Sequence, residues 1–219
     1  MRRFIPLFTL ILAALIAAGC SLADTPVPSG PIQSGPLPGE ETIHTDLTAN
    51  PSASEGAAIY AQSCSACHGP EGAGGGQMTA VLDEQGIELP MLNDPELMRS
   101  RSPGEWFAMV SNGTLSAGGM MPPFSESLTE VQRWSVVTYL YTLGTSADQL
   151  AEGEAIYNEV YAECFGADGA AASFNDISIM ATRSPNNVFS QYMADEEACP
   201  AAAELTEDQR WAATLFAMT

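Results

Sequence analysis

The stretch Cys64-Ser65-Ala66-Cys67-His68 places two thiols three positions apart, with an imidazole directly after the second. On one helical turn such sulfurs point the same way and can form thioethers to the two vinyl groups of one porphyrin, while the next residue sets an imidazole over the iron. Zinc would need a second ligand pair, and thioredoxin-type exchange would need a βαβ setting; the sequence offers neither. The spacing therefore points to one covalent haem c, attached through Cys64 and Cys67 and ligated by His68. A ligand for the far side of the iron must come from elsewhere in the chain, and methionine sulfur is the leading type. Among Met78, Met91, Met98, Met109, Met120 and Met121, the expected ligand is Met121, because Pro122-Pro123 extends the backbone after it and Gly118-Gly119 permits close approach to a ring before it. Met120 is the competitor. Met109 shares a helix face with Trp106 and Val110 and reads as core.

Helical segments must position these groups. Ser52-x-x-Glu55, Ser102-Pro103-Gly104-Glu105 and Thr129-x-x-Gln132 each have the pattern of a capping box, with Pro103 at a first helical position. The helix after Thr129 carries Val131, Trp134, Val137, Leu140 and Tyr141 at helical spacing, reads as amphipathic, and is expected to close at Gly144. No useful length of strand-like alternation occurs, so the fold class is all-α.

Composition narrows the function further. The chain has 219 residues, with 27 acidic and 7 basic side chains, all seven Arg. Nucleic-acid binding needs the opposite balance, and the 46% hydrophobic content is enough for a core. Met1-Arg2-Arg3 and the apolar run from Phe4 to Ala18 read as a signal peptide over residues 1–19. Ile16-Ala17-Ala18-Gly19-Cys20 resembles the lipobox of bacterial lipoproteins, which implies lipidation of Cys20 and a tether on the outer face of a cytoplasmic membrane. Each buried methylene of such acyl chains contributes about 0.8 kcal/mol. Without residues 1–19 the chain keeps 5 Arg against 27 acids, a net −22, so partners are expected to be basic or to dock by apolar contact. Residues 20–51 contain six prolines and read as a flexible linker, with His44 exposed in it.

Residues 53–145 resemble a class I cytochrome c domain. The resemblance rests on Glu55-Gly56-Ala57-Ala58-Ile59-Tyr60 before the CSACH run, His68-Gly69-Pro70-Glu71-Gly72 after it, Met121-Pro122-Pro123-Phe124, and the last helix with Trp134, Val137, Tyr139 and Leu140. It implies a haem domain over 52–145 with His68 and Met121 as axial ligands, carrying one electron, and Gly56 and Tyr60 interlocked with Val136 and Tyr139.

The pattern then recurs. Glu152-Gly153-Glu154-Ala155-Ile156-Tyr157 repeats residues 55–60 at an offset of 97. Asn175-Asp176 and Arg183-Ser184-Pro185 repeat Asn93-Asp94 and Arg101-Ser102-Pro103 at 82, and Leu205 to Trp211 repeats Leu128 to Trp134 at 77. Residues 149–219 thus read as a second cytochrome c-like module. In it Cys64 is replaced by Tyr161 and His68 by Phe165, while Cys164 matches Cys67. Phenylalanine offers iron no lone pair, so no haem is expected there. Cys199 falls where Met121 stands in the first copy, and Cys164 and Cys199 are expected to form a disulfide or to remain as two buried thiols.

With both axial positions filled, the iron has no open site for a substrate, and no other catalytic set stands out. The expected function is a tethered single-electron carrier that meets redox partner proteins as a shuttle or as a subunit of a respiratory complex, and not an enzyme. A haem-based sensor with a labile methionine is the alternative. If Cys20 carries the anchor, Cys20→Ser should shift the protein from the membrane pellet to the soluble fraction after cell breakage; retention in the pellet would count against lipid tethering.

Overall fold

The computed structural model describes residues 49–115 and 119–219; the expected signal segment, Cys20, His44, Gly118 and the linker up to residue 48 lie outside them. Helix α1 (Ala53–Ser63) is followed at once by the one-turn α2 (Ser65–His68). Then come α3 (Thr79–Glu84), α4 (Pro95–Ser100), α5 (Pro103–Asn112) and α6 (Glu130–Leu140). No strand occurs among the described residues, and the fold is all-α.

The capping boxes at Ser102/Glu105 and Thr129/Gln132 start α5 and α6 as their residue patterns require. The expected box at Ser52 does not form. Its hydroxyl lies 2.8 Å from Ser54 Oγ, and the Ser52 N–H donates to Ser135 Oγ at 3.1 Å. The same Ser135 hydroxyl donates to the Glu55 carboxylate at 3.3 Å. The Ser52 N–H and the Glu55 carboxylate that would make the local box are bonded to Ser135 of α6 instead.

That contact is possible because α1 and α6 cross with almost no space between them. A Cβ on Gly56 would stand 1.9 Å from the Ser135 carbonyl oxygen and 2.8 Å from Tyr139 Cβ, so only glycine fits. The residue that Gly56 meets is therefore Ser135, one position before the expected Val136. Tyr60 packs on Tyr139 with ring centres 5.3 Å apart. On another side of α6, Trp134 stacks on Phe107 of α5 at 4.2 Å. Serving two neighbours, α6 buries Arg133 and Ser135 as well as Trp134, Val136, Val137 and Leu140, more than one amphipathic stripe would. The helix ends at Leu140, and a turn carries the chain to Gly144 at φ 77°.

The remaining residues form α7 (Ala147–Ile156), a wide π-turn (Tyr157–Tyr161), α8 (Ala162–Phe165), α9 (Ile177–Met180), α10 (Pro185–Val188) and α11 (Glu207–Ala217). Here α7 packs on α11 through Gly153, where a Cβ would stand 2.2 Å from the Ala212 carbonyl oxygen. Trp211 stacks on Phe189 at 4.0 Å. Ser184/Asn187 and Thr206/Gln209 cap α10 and α11.

Overpacking of this kind typically costs about 1–3 kcal/mol and sometimes more. Gly56→Ala and Gly153→Ala should therefore each lower stability by about 3 kcal/mol in urea unfolding followed by circular dichroism. A loss below about 0.5 kcal/mol in either would mean that the crossing relaxes easily.

Candidate haem site

The Cys64–His68 segment is held from three directions. Cys64 donates its N–H to the Tyr60 carbonyl, continuing α1, while the N–H groups of Cys67 and His68 return to the Cys64 carbonyl at 3.1 and 3.0 Å. One tight turn thus brings both thiols and the imidazole together. Gly69 ends it at φ 78°, a left-handed position suited to glycine. Its carbonyl accepts the Tyr60 hydroxyl at 2.8 Å, and the His68 carbonyl accepts the Gly74 N–H at 2.9 Å. Below, the Ala66 carbonyl accepts from Met78 N–H at 2.8 Å.

Across from this turn runs the segment that carries the methionines. Thr114 clamps it: its hydroxyl accepts the Met121 N–H at 3.1 Å, and its own N–H donates to the Met121 carbonyl at 2.9 Å. Phe124 and Ser125 then donate to the Val110 and Ser111 carbonyls at the end of α5. The result is a cleft lined by Cys64, Cys67 and His68 on one side and by Met120, Met121 and Phe124 on the other, with Leu82 and Leu89 among its apolar walls. Both methionines line it, but Met121 packs against the core, whereas Met120 is 46% exposed. The Met109 side chain is partly buried against the core.

The chemistry of these groups suits haem c. Cys64 and Cys67 are free, half-buried thiols, and burial, followed by the neighbouring Cys67, pushes the Cys64 thiol up to about 11. Burial lowers the His68 pKa, which favours the neutral imidazole with a lone pair to give. His68 Nδ1 is shut off from solvent with no protein partner. Two thiols, a neutral imidazole, apolar walls and an opposing thioether are the donors that a covalent haem requires. Bound there, haem would supply reversible one-electron chemistry at iron.

Comparison with known proteins agrees with the site. Residues 51–140 match the family model for cytochrome c oxidase, cbb3-type, subunit III. That match supports a cytochrome c domain over those residues, and such a domain implies covalently bound haem c. The cbb3-type cytochrome c oxidase subunit FixP of Sinorhizobium medicae (strain WSM419) is 29% identical, the match covering 56% of this chain and 44% of the relative. FixP of Rhizobium meliloti (strain 1021) is 28% identical over the same shares. The chain thus spans less than half the length of these relatives. A chain of the Kuenenia stuttgartiensis reducing HAO-like protein complex overlaps with a TM-score of 0.33 at 21% identity, covering 75% of this chain and 94% of that one, too loosely to bear on the assignment.

In the second half, the residues matching the CSACH turn are Tyr161, Cys164 and Phe165. Tyr161 is fully buried and donates to the Met193 carbonyl at 2.7 Å. Phe165 packs on Phe174 at 5.6 Å and on Tyr192 at 5.7 Å, and these two meet at 5.2 Å. Cys164 and Cys199 are joined as a disulfide with Cα atoms 5.6 Å apart. Leu82, Leu89 and the clamp Thr114 had no signal in the sequence, being ordinary residue types far from the CSACH run.

If Met121 is the sixth ligand, Met121→Ala should convert the ferric protein to a high-spin spectrum, and Met120→Ala should leave it low-spin. The reverse pattern in visible absorption would assign the ligand to Met120.

Proposed function

We propose that this protein is a membrane-tethered electron carrier whose one haem c, attached through Cys64 and Cys67 and ligated by His68 and Met121, passes single electrons between protein partners of a respiratory chain. The observation that carries this reading is the cleft in which the CSACH turn faces the clamped Met121. A thioether ligand favours ferrous iron, and an apolar shell adds to that preference, so the haem should have a raised potential. Were His68 and Met121 both to hold a haem there, they would leave its iron no position for a substrate, which suits transfer and not turnover. The FixP relatives are described as oxidase subunits. By analogy this chain serves such a complex, either fixed in it or moving to it on the linker of residues 20–51.

Apolar side chains mark where an electron would leave. Met120, 46% exposed, lines the cleft, and Val81, 43% exposed, directly precedes the lining residue Leu82. Such a rim suits brief apolar docking, while the −20 charge steers basic partners toward it. No helix among the described residues is long and apolar enough to cross a membrane; the proposed tether is a lipid on Cys20.

Residues 149–219 are proposed to be a cytochrome c-like module without haem. Supporting this are the Gly153 crossing, the Phe189–Trp211 stack and the Tyr157 hydroxyl on the Gly166 carbonyl at 3.3 Å, each paralleling a contact of the first half. Tyr161, Phe165, Phe174 and Tyr192 crowd the region where the first half would hold its porphyrin.

Expressed with a haem-attachment system, the protein should carry one haem per chain by the pyridine haemochrome assay, with colour that resists acid-acetone. A colourless product or extractable haem would overturn the assignment. Carbon monoxide binding to the reduced protein near neutral pH would favour a sensor over a carrier.

A further inference from the structure

Residues 119–125, which carry Met120 and Met121, are held by one end of α5. The Gly119 N–H donates to the Thr114 carbonyl at 2.8 Å, and Thr114 grips Met121 by both its N–H and its carbonyl. Phe124 and Ser125 donate to the Val110 and Ser111 carbonyls at 3.1 and 3.2 Å. Where α5 ends, a Cβ on Gly113 would stand 2.4 Å from the Met121 carbonyl oxygen, so the two backbones run in contact. The Met121 sulfur is therefore held only as firmly as the last turn of α5.

That turn is tied to α6 by a buried cation. Arg133 is 5% exposed and is the one buried arginine among the described residues, while Ser111, in the last turn of α5, is fully buried. The Arg133 Nη1 donates to the Ser111 hydroxyl, and its guanidinium carbon lies 4.7 Å from the centre of the Phe107 ring one turn earlier. Taking a guanidinium out of water is costly, and the cost is offset only while its partners stay in place. Helix α5 has no basic residue of its own in its last turn, so Arg133 also brings the positive charge that favours that end of a helix.

The internal repeat supports the same role. At the offset of 77 Arg133 corresponds to Arg210, and at 82 Ser111 corresponds to Met193. Arg210 donates to the carbonyl of Ala194, the residue after Met193, at 3.2 Å, and to those of Ala202 and Leu205 at 3.0 and 3.2 Å. Cys199, which stands where Met121 stands in the first half, lies within that span. In both halves the arginine of the last helix fastens the place from which this segment departs.

We propose that Arg133 is a positioning residue for the sixth ligand: through Ser111 it fixes the end of α5, and with it the Met121 thioether, opposite His68. The inference rests on the reading of the cleft as a haem site with Met121 as ligand. Arg133 acts through Ser111 and the α5 carbonyls, not through contact with the iron.

Imidazole added to the ferric, haem-loaded chain competes with the Met121 sulfur for the iron, so its apparent affinity reports how firmly that sulfur is held. Arg133→Gln and Ser111→Ala should each raise this affinity about tenfold. The double variant should raise it no further than either single change, because both break one link. Arg210→Gln, the equivalent change in the second half, should lower stability in urea and leave imidazole affinity at the parental value, which separates lost positioning from lost stability. Haem content and far-ultraviolet circular dichroism are measured for every variant, and if Arg133→Gln fails to fold, the smaller change Ser111→Ala decides alone. Parental affinity in folded Ser111→Ala, additive effects in the double variant, or an equal rise in Arg210→Gln would overturn the proposal. A parent whose haem is absent or high-spin would instead overturn the reading on which it rests.

Discussion

The approach of α1 to α6 at Gly56 is the constraint on which the rest depends. With no side chain between Gly56 and the Ser135 carbonyl, the two helices lock at one register, and Tyr60 one turn later is pinned between Tyr139 and the Gly69 carbonyl. Because α2 follows α1 with a single residue between them, that register also decides where Cys64, Cys67 and His68 stand. The far wall has its own anchor in Thr114 at the end of α5, which stacks on α6 through Phe107 and Trp134. Both sides of the cleft are therefore referred to one helix, and the separation between imidazole and thioether is set by packing a good distance from either.

The second half keeps this frame and changes what it encloses. Glycine again sits at the crossing and a tryptophan again stacks on a phenylalanine, while aromatic rings and the Cys164–Cys199 bond occupy the interior. A module of this size has few residues to bury, and if it holds no porphyrin, as proposed, it must gain apolar contact and cross-linking from its own side chains. Tyr161 shows how: its ring is buried in the cluster and its hydroxyl still finds a backbone acceptor.

Much of this was legible from residue type and spacing. The CSACH run identifies its chemistry without the fold, and the Ser102 and Thr129 caps are local patterns that form locally. The repeat offsets, read from short identical runs, pair Gly56 with Gly153 and Trp134 with Trp211, which sit at corresponding contacts in the two halves. Features set by distant residues were not legible. Ser52 and Glu55 have the letters of a capping box, yet Ser135, 83 residues on from Ser52, takes their hydrogen bonds. The helices α2, α3 and α4, four to six residues long, are too short to give a period, and Leu82, Leu89 and Thr114 become site residues only through the path of the chain. Arg99 was one charge among seven until the fold laid it over a tryptophan 112 residues away in sequence.

The bond between Cys164 and Cys199 also poses a question of order during biogenesis. A polypeptide that reaches an oxidising compartment with all four of these sulfurs unprotected must let one pair couple while sparing the other, since thioether formation consumes thiols and not a bridge. Proximity in sequence works against this, because Cys64 and Cys67 lie three positions apart and are the quicker to meet. If the chain is exported and carries haem as proposed, discrimination must then come from whatever escorts the new strand, by shielding the early pair until its cofactor arrives or by reopening it, and from the later pair closing only once its own module has packed.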